Sequence, residues 1–274
     1  MIISTPKAKT YLLLIMLVTL ASILVILIPR VIPLGVDFYV TFLPVGRDVL
    51  GGRFPYENIT FFNPPWLLVM LVPLALLPDG LAWGIFVILG ITGYLVALRR
   101  LGASWPELVL LMLSPFVWYG IYYGNIDWLV LLGASLTPTW GIWFLVLKPQ
   151  MSIVLGGLWL IRAWPKRILI EFGPVCLGLG LSFVLGLWRM PERAKMYWSL
   201  DIWPWGIPVG LVFTWLAWRR QDTRLALAAG PFLSPYIAIQ SWLLVLLPMI
   251  GRRYWLPAGV TLGWLYILYM LLIK

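Results

Sequence analysis

Few side chains in this 274-residue sequence could carry chemistry, and their types restrict what it could be. There is no histidine and one cysteine, Cys176. That excludes imidazole bases, His-based metal sites, thiolate metal clusters and an internal disulfide. No GxxxxGK(S/T) loop or GxGxxG fingerprint occurs, so no nucleotide-binding domain is encoded. Carboxylates, amides and basic groups remain. Asp37 sits in Gly35-Val36-Asp37-Phe38-Tyr39. Partial desolvation there raises a carboxyl pKa and suits a general base for an alcohol. An interfacial aspartate that ends a helix or pairs with Arg30 or Arg47 has the same local sequence, so both readings stand.

Lys148 interrupts two apolar runs and is followed by Pro149 and Gln150. A lysine ammonium is a compact point charge suited to a phosphate, and Gln150 adds an amide donor and acceptor. The plainer alternative is a lysine that snorkels outward along its stem. Asn63, before Pro64 and Pro65, and Gly124-Asn125-Ile126-Asp127 offer further polar groups, with helix capping as their plainer role. Arg47, Arg53, Arg189, Arg193 and Lys195 fall opposite the main basic clusters. An anionic headgroup or phosphate accounts for them, as does ordinary interfacial charge.

The elements that must position these residues are membrane helices. Apolar residues make up 62% and charged residues 11%, against about 25% charged in a soluble domain. Thr10–Pro29, Gly80–Leu98, Leu108–Ile126, Trp128–Leu147 and Tyr254–Ile273 are uncharged runs of 19 or 20 residues, and about 20 helical residues cross a hydrocarbon core of about 30 Å. Nothing alternates in polarity as a membrane barrel does. The first run is too long for a signal sequence and lacks a cleavage site, so it reads as a retained span. The net charge of +10 follows from the positive-inside rule rather than from nucleic-acid binding. The 18 tryptophans fit aromatic belts.

Placing Lys7/Lys9, Arg99/Arg100, Arg162/Lys166/Arg167, Arg219/Arg220/Arg224 and Arg252/Arg253 inside puts 12 of the 20 basic residues there and seven of the ten acids outside. Span one then rises over about 10–29, span two returns over 81–98, and span three rises over 105–122. The 30–80 segment becomes a large extracytoplasmic loop with juxtamembrane helices, because its apolar stretch is cut by Pro64, Pro65, Pro73 and Pro78. Arg189–Asp201 reads as an interfacial helix. The segments 126–162 and 225–251 read as broken helices, interrupted at Thr137-Pro138, Lys148-Pro149-Gln150 and Ser234-Pro235-Tyr236. Irregular backbone at membrane depth is tolerated where it is buried in protein or lines a cavity, so these tips mark the site and converge on the outer face. The expectation is a single all-α polytopic domain over 1–274, with about 11 passes counting half-length helices, in the cell membrane with a cytoplasmic N-terminus.

The order of these motifs resembles the GT-C-type polytopic glycosyltransferases, especially the bacterial polyprenyl-phosphate-sugar-dependent mannosyl- and arabinofuranosyltransferases. The likeness runs through Asp37-Phe38-Tyr39, Gly52 to Tyr56 (Gly-x-x-Pro-Tyr) and Asn63-Pro64-Pro65-Trp66. It continues through Gly124-Asn125, Lys148-Pro149-Gln150 and Ser234-Pro235-Tyr236. The chain is shorter than that family usually is, and has Gly-Asn where Gly-Gln is usual. The resemblance implies Asp37 as catalytic base and a polyprenyl-phosphate-linked sugar donor. It also implies a lipid or glycan acceptor and substrate contacts from Lys148, Gln150, Arg47, Arg53, Tyr56, Asn63, Asn125, Asp127 and Tyr236. Phosphate is a competent leaving group, so no cofactor is expected; a metal on Asp37, Asp48 and Glu57 lacks supporting spacing. Two rival readings stand beside this one: a non-catalytic subunit of a larger membrane complex, and a lipid-carrier flippase.

Overall fold

In the computed structural model, which describes residues 6–58, 60–187 and 199–273, all regular structure is helical. Helix α1 (Pro6–Val31) has 26 residues and α4 (Asp79–Arg100) has 22. They run antiparallel, with Gly80 facing Pro29 and Gly84 against Val25. A Cβ at Gly84 would lie 2.2 Å from the Val25 carbonyl oxygen, so the approach depends on a missing side chain. Gly84→Ala is expected to push these helices apart at a cost of about 1–3 kcal/mol. Equilibrium unfolding in mixed micelles measures this, and an unchanged stability would contradict so close a packing.

Between α1 and α4 lie α2 (Leu43–Leu50) and α3 (Leu68–Ala75), with a π-helical turn at Phe38–Phe42 and 3-10 turns at Pro55–Glu57 and Pro65–Leu67. The expected first loop is therefore built of short helices. Buried Phe38 packs on Trp83 and Phe86 of α4 at 5.3 and 4.8 Å between ring centres, which draws the chain after α1 down against α4.

The middle of the chain is a series of short helices: α5 (Trp105–Met112), α6 (Pro115–Tyr123), α7 (Asp127–Ala134), α8 (Pro138–Leu145) and α9 (Pro149–Ala163). The breaks at Thr137-Pro138 and Lys148-Pro149 fall where the sequence placed them. Span three, expected as one helix over 105–122, is instead two. Proline favours a first helical turn, and Ser114 accepts a hydrogen bond from the Val117 N–H, so a second helix starts there.

The chain continues through α10 (Ile168–Glu171), α11 (Gly173–Val184), α12 (Ile207–Arg220) and α13 (Thr223–Leu233). The expected break at 234–236 follows. Then come α14 (Leu243–Leu246), flanked by 3-10 turns at Ile239–Trp242 and Leu247–Met249, and α15 (Trp255–Ile273). Arg189, Arg193, Lys195 and most of the expected interfacial helix lie outside the described residues. Residues 199–201 are not helical; Leu200 donates its N–H to the Ile237 carbonyl at 2.8 Å, which sets this strip beside the 234–236 tip.

Among the described residues two helices are long and apolar enough to cross a membrane, Asp79–Arg100 and Trp255–Leu272, against the eleven passes expected. Proline breaks account for much of the difference, since they leave shorter apolar stretches such as Gly173–Val184 and Ile239–Met249. The buried apolar residues form a cluster centred on α4, where Trp128 of α7 packs into Gly90 and Gly93. At one end, Arg100, Arg220, Arg224, Arg252 and Arg253 gather around two cavities, so three of the basic clusters expected on one face do share it.

Candidate functional site

The opposing end of α7 carries the densest polar network among the described residues. Asn125 is its hub. Its Nδ2 donates to Asp37 Oδ2 at 2.6 Å, and its Oδ1 accepts from Lys148 Nζ at 2.6 Å and from the Asp127 N–H at 3.2 Å. Lys148 also forms an ion pair with Asp127 Oδ1, while Asp127 Oδ2 accepts from the Ser241 hydroxyl at 2.6 Å. Asp127 is 1% and Lys148 15% exposed at the side chain.

Backbone shape brings these residues together. Helix α6 ends at Gly124 with φ +69°, a left-handed cap that glycine adopts without strain. Gly35 lies directly against it: a Cβ there would be 2.6 Å from the Gly124 nitrogen. The two glycines let the chain after α1 cross the α6–α7 turn, and Asp37 meets Asn125 two residues later. Lys148 arrives from the α8–α9 break, and Ser241 from the 3-10 turn after the 234–236 tip.

The Asp37 carboxyl titrates above its ordinary value. Burial is the main cause, partly opposed by the Lys148 charge and the Asn125 hydrogen bond, while the Asp127 charge adds to the rise. Asn125→Asp would replace the donated hydrogen bond with a third carboxylate. It is expected to raise the Asp37 pKa further, read from the carboxyl stretch in infrared spectra across pH; a fall would show that Asn125 does not hold this carboxylate.

Tyr236 joins this field, since Lys148, Asp37 and Asp127 all act on its hydroxyl. Gln150 lies half-buried in the first turn of α9, next to Lys148. The remaining expected contacts have partners within the protein. Asn63 Nδ2 donates to the Leu147 carbonyl at 2.9 Å, and the Asn63 carbonyl accepts from the Tyr56 hydroxyl at 2.7 Å. These two residues therefore clasp the first loop onto the α8–α9 break. Arg47 pairs with Asp79 and Arg53 with Asp48, each at 2.5 Å, and neither is among the charges that shift Asp37. Asp127 has both oxygens occupied and is buried, so it positions Lys148 rather than facing outward. Ser241 was not anticipated; its signal was the polar pair Gln240-Ser241 inside a long uncharged run.

Beside this network is a cavity of about 380 Å³ lined by Trp118, Tyr119, Tyr122, Tyr123 and Trp264, and Tyr123 lies within electrostatic reach of Asp37. The arrangement can take a proton at Asp37, donate hydrogen bonds from an ammonium, and offer aromatic faces to an apolar chain or a sugar ring. No protein-family model matches the chain, and no curated protein or solved structure is significantly similar to it.

Proposed function

We propose that the chain is a polytopic membrane glycosyltransferase of the GT-C type, moving a sugar from a polyprenyl-phosphate donor to a lipid or glycan hydroxyl at the extracytoplasmic face. The observation that carries this reading is the Asp37 carboxylate, desolvated and held by Asn125 beside an ammonium, where three chain breaks meet. Membrane residence is supported by the apolar surface. Only 22% of the apolar window of α15 is buried, and Leu262, Leu265, Leu268 and Leu272 along it are exposed. Apolar surface so extensive is rare on water-soluble monomers.

In the proposed reaction Asp37 accepts the proton of the acceptor hydroxyl as that oxygen bonds to the anomeric carbon. The bond from that carbon to the phosphate oxygen breaks, the phosphate leaves with the electron pair, and the configuration inverts. Lys148 has three N–H donors, two of them directed at Asn125 and Asp127; the third serves a phosphate oxygen. The aromatic cavity takes the first units of the prenyl chain.

The test is sugar transfer from a panel of polyprenyl-phosphate sugars by the purified protein in lipid, with varied acceptors. Turnover that requires Asp37 supports the assignment; turnover indifferent to Asp37 keeps the transferase and removes the base. A second reading, a non-catalytic subunit of a membrane complex, is favoured by the Lys148–Asp127 pair, which commits the lysine charge to the fold. Folded protein that transfers from no donor in the panel would select it.

A further inference from the structure

The opposite end of the molecule holds a second built site. Two neighbouring cavities of about 570 and 610 Å³ share Arg220, Asp222 and Arg224 in their walls. Arg252 and Arg253 complete the first and Arg100 the second. Five arginines thus line the two adjoining cavities, with Asp222 in both walls and Glu107 bonded to the Gly251 N–H at the edge of the first. The protein fixes two of them: Arg224 bonds Asp222 at 3.3 Å, and Arg253 lies 5.5 Å from the ring centre of Tyr254. Arg100, Arg220 and Arg252 have no carboxylate partner among the described residues. Like charges gathered in this way repel one another, and a bound anion offsets the repulsion.

The surroundings of the recess decide which anion. Helix α12 ends there at Arg220 and α15 begins there at Trp255. Tyr254, just before α15, and Trp255, its first residue, are both largely exposed, in the manner of side chains at a membrane surface. Both helices lead away from it with exposed apolar residues, Leu211 and Trp215 on α12 and Leu262 and Leu265 on α15. A free phosphate would have no use for that apolar track, whereas acyl chains would cover it. We propose that this arginine-lined recess binds the headgroup of an anionic phospholipid, with its chains laid against the neighbouring helices. The proposal rests on the membrane reading of the chain and not on the transfer chemistry.

Native mass spectrometry of the purified protein in mixed micelles tests it, with phosphatidylglycerol and phosphatidylcholine as probes and sugar-transfer activity playing no part. Wild type is expected to retain phosphatidylglycerol in preference to phosphatidylcholine. Arg220→Gln with Arg252→Gln is expected to lose about thirtyfold in that affinity, from about fivefold for each basic side chain facing anionic lipid. Arg162→Gln with Lys166→Gln removes the same charge from another basic cluster and is expected to leave the affinity unchanged. An equal loss in both variants would overturn the proposal by reducing it to net charge. Equal retention of the two lipids, or full displacement of phosphatidylglycerol by excess inorganic phosphate, would also overturn it.

Discussion

Replacing Lys148 with methionine is expected to destabilise the protein by about 3–5 kcal/mol, the cost of stranding a buried charge without its counterion. The side chains are similar in length, so lost packing contributes little. The charge left behind is Asp127, 1% exposed and bonded otherwise to Ser241. A second substitution, Asp127→Leu, is expected to recover most of the loss, because an apolar replacement of a buried ion pair is often neutral or better. Equilibrium unfolding of the two variants in mixed micelles separates the cases. A single-variant cost below about 1 kcal/mol would be the value of an exposed pair and would contradict the burial seen here.

The second large effect belongs to Asp37. Asparagine has the same shape and still accepts the Asn125 hydrogen bond, so Asp37→Asn is expected to fold normally. Its transfer rate is expected to fall by about 10²–10⁴-fold in kcat, the range for a general base, with KM little changed. The pH dependence follows from the direction of the shift. A base works when deprotonated, and the Asp37 pKa is raised by burial. The wild-type rate should therefore climb through a midpoint above the ordinary aspartate range, and that acid limb should vanish in the variant. Stability moves the other way. The folded chain holds this proton more tightly than the unfolded one, so the Asp37 contribution falls as pH rises from the unfolded to the folded pKa. A wild-type acid limb that survives in Asp37→Asn would assign the base elsewhere.

Local signals were readable and distant ones were not. The breaks at Thr137-Pro138, Lys148-Pro149 and Ser234-Pro235 announced themselves, because proline acts on the residues next to it. Ser114-Pro115 carried the same signal within the uncharged run Leu108–Ile126, and reading that run by hydropathy alone made one span of what are two helices. Asp37, Asn125 and Lys148 each stood out as polar groups among apolar neighbours. That Asn125 joins the other two could not be read, since 88 and 23 residues separate it from them and no local pattern encodes such contacts. Arg47 looked free for a substrate for the same reason: its acid, Asp79, is 32 residues away. The sequence offers Lys148 either a phosphate or a stem that snorkels outward, and neither reading contains the carboxylate that burial requires beside it.

The length of α7 has a consequence of an electrical kind. Its first residue, Asp127, belongs to the carboxylate–ammonium network, and its last, Ala134, lines one of the arginine-walled cavities. Eight residues span about 12 Å, well under half of a hydrocarbon core of about 30 Å. In a chain that crosses the bilayer, this short apolar helix separates the two polar regions. A transmembrane voltage would act on the buried Lys148–Asp127 pair at one end of this helix, and each elementary charge carried through the full drop does about 2.3 kcal/mol of work per 100 mV.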